Sequence, residues 1–313
     1  MKEIAATHTW SHTIILLYKY TRIDDPVAFR DVQRKLCTEL GLKGRLLIAH
    51  EGINITLEGI TENVEKYVEI LLADPRFATT HIKRSEGTGS AFPKLIVKVR
   101  KEIVTLGLTA QATTVDIDPN VTTGKHLPPA ELKQWFDQGK DFVIVDMRNS
   151  YEHMSGHFKD SILPPLENFR DLPKVLPQLE PLKNKTVLTV CTGGVRCEKA
   201  SGYLISQGFN DVYQLDGGIV SYMEQFKDNQ EFKGSLYVFD DRKTMAFVDP
   251  SVRGVVGKCK TCSAASERYV NCANLACHIH LIICTECAPI TDSAFCSDAC
   301  YTVHTRNRAV TTS

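Results

Sequence analysis

A chain of 313 residues with 37 Lys+Arg against 37 Asp+Glu carries no formal net charge, and 43% hydrophobic with 24% charged residues is an ordinary globular composition. Such numbers suit two or three domains and exclude a disordered, collagen-like or low-complexity chain. Charge is spread evenly, at +3 over residues 1–110, −4 over 111–226 and +1 over 227–313, so any nucleic-acid contact has to use a local patch. The longest apolar runs, such as 14–18, fall far short of the roughly 20 residues a membrane span needs, so no membrane is expected. Glu3 and His8 stand where an export signal requires an apolar core, which points to a cytoplasmic protein.

In chain order, HTIILLYKY (12–20) reads as a strand, residues 26–40 as a helix, and 45–49 and 53–57 as strands joined by a tight turn at Glu51 and Gly52. A second helix starts near Thr61, with Glu62 and Glu65 in its first turn and Val64, Tyr67, Val68, Leu71 and Leu72 at helical spacing. Strands near 80–85 and 94–99 complete a ferredoxin-like α+β domain over residues 1–110. Residues 111–124 have few large apolar side chains and read as a linker. From 125 to 228 the pattern changes. A helix over 130–138 is followed by FVIVD (142–146), TVLTV (186–190) and DVYQLDGG (211–218), with a helix over 198–207. Runs apolar on both faces and separated by helices predict an α/β domain with a buried parallel sheet. Residues 229–313 form a third, cysteine-rich region.

The sharpest chemical feature is CTGGVRCEKAS (191–201), which lies directly after the strand TVLTV and before a helix. A cysteine there meets backbone N–H groups and the positive end of a helix dipole, which favours the thiolate a nucleophile needs. Gly193 and Gly194 let the loop curl with its amides inward, and Arg196 adds a fixed positive charge. The bland reading is a structural Cys in a tight turn. Only four residues separate Cys191 from Arg196, so Thr192, Gly193, Gly194 and Val195 close a ring too small for the tetrahedral phosphate of a cysteine phosphatase. Cys197 admits two roles, a resolving thiol for Cys191 or a packed helix residue. Cys37, among Val32, Leu36 and Leu40 of an amphipathic helix, reads as core.

Eight of the 11 cysteines fall between 259 and 300, as pairs Cys259/Cys262, Cys272/Cys277, Cys284/Cys287 and Cys296/Cys300. In a reducing compartment this density argues for metal, and eight thiolates suffice for two tetrahedral structural zinc sites. The spacing leaves the combination of pairs open, and His278, His280 or His304 could each replace a thiolate. An iron–sulfur cluster is the rival occupant. The region has too few apolar residues for a core of its own, so the metal would supply its folding free energy. There is no flavin or nicotinamide fingerprint. Basic residues suited to RNA are Arg45 and His50, then His81, Lys83 and Arg84, then Lys94, Lys98, Arg100 and Lys101. Lys94, Lys98 and Arg100 share strand parity near Phe92, whose ring could stack a splayed base. The alternative for all of them is a solvated sheet edge.

The segment 191–201 resembles the active loop of rhodanese sulfurtransferases. VDMRNSYEHMSGHF (145–158) resembles the signature of that fold and places Asp146, Arg148, Glu152, Gly156 and His157. The resemblance implies that Asp146 and Arg148 brace the loop, in a supporting rather than catalytic role. Taken in order with AHEGINITLEG (49–59), AFPKLIVKVRKEIVTLG (91–107), VYQLDGGI (212–219) and the cysteine cluster, nearly the whole chain resembles the rhodanese-containing tRNA uridine hydroxylase family. That resemblance implies a tRNA substrate, molecular oxygen as co-substrate, conversion of the wobble uridine to 5-hydroxyuridine, and an essential Cys191. One departure is Ile55, where relatives commonly have Gly, a change expected to bear on RNA contacts. Two rivals stand: a sulfurtransferase carrying a persulfide on Cys191, fed by a sulfur-donor protein, and a non-enzymatic zinc adaptor. The intact Cys191 and Arg196 argue against the adaptor.

Overall fold

The computed structural model describes residues 10–108, 117–228, 230–277, 279–290 and 294–311. They fall into two compact units, Met1–Lys125 with Val195–Gln207, and His126–Gly194 with Gly208–Ser313.

The first unit opens with β1 (His12–Tyr20), α1 (Pro26–Glu39), β2 (Lys43–Ala49), β3 (Gly52–Ile60), α2 (Thr61–Ala73), β4 (Lys83–Glu86) and β5 (Leu95–Val99). Asp25 caps α1 by accepting from the amides of Val27 and Ala28, and Pro26 presets the first helical turn. The sheet order β4-β1-β3-β2 is that of the expected ferredoxin-like fold, and β5 extends it by pairing parallel to β2. One face of the sheet is apolar. Ile15, Leu17, Leu46, Ile48, Ile53, Ile55, Leu57 and Val97 pack with Cys37, Val64, Tyr67 and Leu71 of the two helices. Cys37 is therefore core, its thiol pushed up to about 12 by burial. Ile55 lies in the same core with no exposed surface, so the expected effect on RNA contacts is corrected: the side chain faces away from anything that docks on the sheet.

The second unit is built on β6 (Lys125–Leu127), α3 (Pro129–Asp137), β7 (Val143–Asp146), α4 (Ser150–His153), β8 (Gly156–Phe158), α5 (Leu172–Leu179), β9 (Thr186–Val190), β10 (Asp211–Leu215) and α7 (Gly218–Gln225). The sheet order is β6-β10-β9-β7, with β9 parallel to both β7 and β10, as the β-branched runs require. Its core joins Leu188 and Val190 to Trp135, Phe158, Ile219 and Tyr222. After Phe232–Gly234, which pairs with β8, the cysteine-rich segment has a hairpin of Tyr269–Asn271 against His280–Ile282 and a helix, Asp298–Thr311.

One helix departs from the domain boundaries expected from the sequence. Helix α6 (Val195–Ser206) follows the Cys191 loop, yet groups with the first unit. The cysteine-rich residues in turn group with the rhodanese-like sheet rather than apart from it. No helix among the described residues is long and apolar enough to cross a membrane.

Candidate active site and metal centres

Cys191 is the first residue after β9 and has no exposed surface. Its Sγ accepts a hydrogen bond from the Gly194 amide at 3.2 Å. Gly194 holds φ +102, a conformation L side chains rarely adopt, and this is what turns its amide back toward sulfur. The loop carbonyls are held in turn by the start of α7, where the Ile219 amide donates to Cys191 O at 2.9 Å and the Val220 amide to Thr192 O at 3.1 Å. The sequence DGG reads as a turn, and the structure shows why it ends in glycine. A Cβ on Gly218 would sit 2.6 Å from both Cys191 O and Gly194 N. The dipole of α7 therefore points its positive end at the loop, and the environment favours an anion on sulfur.

Asp146 and Arg148 lie beneath the loop as a fully buried ion pair, Nη2 to Oδ2 at 2.6 Å. The guanidinium also donates to Gly156 O at 2.8 Å and Glu152 O at 3.3 Å, which ties the end of β7 to α4 and β8. Glu152 accepts from the Asn149 amide at 2.9 Å, and Thr192 Oγ1 reaches its other oxygen at 3.5 Å. Burial acts to raise the Asp146 carboxyl, but the Arg148 charge and hydrogen bonds outweigh it and hold it below the usual range. Arg148→Met would leave a buried unpaired carboxylate, with an expected loss of about 3–5 kcal/mol in urea unfolding. In the wild type, a lowered folded value means that the stability from Asp146 is fully present above about pH 4. It is lost as pH falls through that lowered value. The variant should show a flatter acid limb in unfolding curves taken across pH.

Arg196 and Cys197 open α6 and are both buried, at 7% and 0% exposure. Nine successive residues of this helix, from Arg196 to Leu204, are buried. Tyr18 donates to Glu198 Oε1 at 3.1 Å, Tyr20 to Val195 O at 3.2 Å, and Thr123 to Glu198 Oε2 at 3.0 Å. Burial, and then the Glu51 and Glu198 charges, push the Tyr20 hydroxyl well above its usual range, so it stays a neutral donor. Sequence reasoning missed these partners and also Lys199, which is 2% exposed between two carboxylates. The cluster of charges in RCEK, in the first turn of a helix otherwise rich in small residues, was the signal for them.

The eight C-terminal cysteines gather in two groups, Cys259/Cys262/Cys284/Cys287 and Cys272/Cys277/Cys296/Cys300, each with its Sγ atoms within 4.8 Å of one another. The pairs interleave, first with third and second with fourth. Cys262 and Cys284 sulfurs lie 3.7 Å apart, and Cys277 and Cys296 sulfurs 3.6 Å apart. Zn–S bonds of about 2.3 Å in a tetrahedron require about 3.8 Å between sulfurs, so each set fits a single zinc ion. A multi-iron cluster would hold its thiolates much farther apart. Backbone amides of Cys262 and Cys284 lower the Cys259 thiol to about 6, as suits a ligand that binds as thiolate. His280 is not in either set. It stacks on Tyr151 at 4.6 Å between centroids, and burial lowers its pKa. His304 packs against Phe295, and His278 lies outside the described residues. Tyr269 Oη donates to Tyr151 O at 2.7 Å, which fastens this segment to α4.

The proposed RNA residues divide. Arg45 and Lys98 are exposed on adjacent strands, on the sheet face opposite the helices, with Arg100 and Lys94 exposed at the two ends of β5. Lys83 instead is 5% exposed with Nζ 5.8 Å from the Tyr18 ring centroid, and Arg84 is held bidentate by Glu65 at 2.8 Å. Phe92, expected as a stacking platform, is buried against Ile14 and Ala91 and presents no face to a base.

A parallel sheet whose central strand ends in a cysteine, cradled by a curled loop and the next helix, defines a rhodanese-type domain. It is joined here to a ferredoxin-like sheet and a cysteine-rich segment whose two four-cysteine groups could each hold a metal ion. Family matches agree in order: residues 12–103 with a UPF0176 acylphosphatase-like domain, 128–225 with a rhodanese-like domain, and 233–301 with a rhodanese C-terminal region. The tRNA uridine(34) hydroxylase of Cytophaga hutchinsonii is 44% identical over 290 residues, covering 92% of this chain and 89% of that protein. Proteins of the same name from Bacillus velezensis (44%, covering 93% and 88%) and Arthrobacter sp. (42%, covering 92% and 98%) match similarly. The chain belongs to the tRNA uridine(34) hydroxylase family.

Proposed function

We propose that this protein hydroxylates C5 of the wobble uridine in tRNA, with Cys191 as the reacting group and molecular oxygen as co-substrate. The observation that carries the cysteine assignment is the Gly194 amide aimed at Cys191 Sγ in a loop held from behind by α7. Addition of that thiolate to C6 of uracil would make C5 enolate-like and able to react with oxygen. One oxygen atom then remains on C5 and the other leaves as water, with two electrons from an added reductant. Loss of the C5 proton and expulsion of sulfur from C6 restore the ring double bond. Loop amides that stabilise the thiolate also stabilise it as a leaving group. Asp146, Arg148 and Cys197 support the loop without touching the base. Two zinc ions would hold the C-terminal segment in shape.

The test is nucleoside mass spectrometry of tRNA from cells lacking the gene, with and without the wild-type gene restored. Absence of 5-hydroxyuridine and its return on complementation support the reading, and return only under aeration supports the oxygen requirement. Unchanged 5-hydroxyuridine together with thiosulfate:cyanide activity would favour the persulfide carrier. We assign tRNA contact to the exposed face of β2 and β5. Arg45→Glu with Lys98→Glu should weaken tRNA binding roughly tenfold or more at low salt, and should lower the slope of log K against log salt by about one per lost phosphate contact. Filter binding at several salt concentrations checks both. An unchanged slope would remove this face from the interface.

A further inference from the structure

Lys199 is a buried basic side chain, 2% exposed, in a helix that carries the exit of the Cys191 loop. Its Nζ lies 2.8 Å from Glu51 Oε2 and 2.7 Å from Glu102 Oε2. Both carboxylates are themselves fixed by main chain. The Ile103 amide donates to Glu51 at 2.7 Å, and the Leu106 and Gly107 amides donate to Glu102 at 3.0 and 3.1 Å. Glu51 sits in the turn that joins β2 to β3, and Glu102 lies just beyond β5. The two strands that present Arg45 and Lys98 thus each lead to a carboxylate that grips α6.

A buried ion pair seldom adds net stability over well-packed apolar groups of the same volume, because desolvation cancels most of the attraction. What it supplies is direction, since three charges with fixed carboxylates leave the helix one position along its axis and one rotation. Helix α6 begins with Val195, the residue after Gly194, whose amide bonds to Cys191 Sγ. Any slip of α6 along its axis therefore pulls on the end of that loop.

We propose that Lys199, gripped by Glu51 and Glu102, is a positioning residue for the hydroxylation: it sets the axial position of α6, and through it the placement of Arg196 and the geometry of the Cys191 loop. This rests on Cys191 being the reacting group. The triad does not touch the substrate in this account. Its loss should act on turnover and leave tRNA affinity in place.

The experiment compares wild type with Lys199→Met/Glu51→Gln/Glu102→Gln, which removes all three charges together and leaves no orphaned ion. Four readouts are taken on the full-length, zinc-loaded protein: melting temperature, tRNA dissociation constant, kcat and KM for hydroxylation, and the second-order rate of Cys191 alkylation by iodoacetamide. The expected result is a folded variant that binds tRNA within about twofold of wild type, while kcat falls roughly ten- to a hundredfold and the alkylation rate changes in parallel. A folded variant with wild-type kcat and alkylation rate overturns the proposal, as does a defect confined to KM. Should the triple variant fail to fold, Glu102→Gln, which keeps the Lys199–Glu51 pair, is judged by the same criteria. Hydroxylation that survives in Cys191→Ser overturns the parent reading instead, and the alkylation comparison in the Cys191-containing variants then still decides whether the triad shapes the loop.

Discussion

Cys191→Ser should abolish 5-hydroxyuridine formation, by at least roughly a thousandfold, while the protein stays folded and keeps its affinity for tRNA. Serine fits the space of the thiol and can accept the Gly194 amide, so stability should fall by only about 1–2 kcal/mol for a hydroxyl in an otherwise enclosed site. What changes is the anion. A loop amide and the start of α7 favour a thiolate over a thiol, but they cannot bring an alcohol near ionisation. The same variant sharpens the mechanism when the substrate carries 5-fluorouridine at the wobble position. Fluorine takes the place of the proton whose loss precedes expulsion of sulfur, so wild type should accumulate a covalent protein–tRNA species on denaturing gels and Cys191→Ser should show none. Absence of that species with wild type would remove the C6 addition step, whatever the activity data show.

Stripping the metal should have the second large effect. Between them the two four-cysteine sets hold a segment whose own core is small: Val270, Leu281, Ile283, Ala288 and Ala294 around Cys259. Zinc in such sites contributes about 10–16 kcal/mol of apparent binding free energy, far more than this core can supply. Chelation, or Cys272→Ser, should therefore release zinc, counted with a chromogenic chelator, and should make the segment from about 257 onward a ready target for protease. The effect should also reach the reactive loop. Tyr269 bonds to Tyr151, His280 stacks on Tyr151, and the next residue, Glu152, braces Thr192 and the Arg148 network. Turnover should drop when metal is lost and return on zinc addition. A metal-free protein with intact residues 257–311 and full activity would contradict this account.

Much of this architecture is legible from the chain alone, for identifiable reasons. Strands β1, β7 and β9 are runs of Ile, Leu, Val and Thr bounded by turn residues, and their period or unbroken apolar character settles both their type and their burial. The reactive loop is legible because its elements are adjacent in sequence. What cannot be read is what joins distant segments. Tyr18 and Glu198 are 180 positions apart, and nothing local to either foretells their hydrogen bond. The cysteine pairs carry the same spacing whether they combine in succession or interleave. Lys83 and Arg84 look like free cations in sequence, and only the register of β4 beside β1 puts one over Tyr18, while the approach of α2 gives the other to Glu65.

The placement of α6 bears on the order in which the chain can finish folding during synthesis. The first 125 residues contain a complete ferredoxin-like sheet, yet their unit lacks residues 195–207 until some seventy more have been made. Until then the chain lacks Lys199, the partner of Glu51 and Glu102, and the helix that Tyr18 and Tyr20 bond to. That helix follows the loop of Cys191 directly in the chain. A ribosome-stalled chain ending before residue 195 should be cut by protease in the 101–108 region, and one extended well past residue 207 should resist.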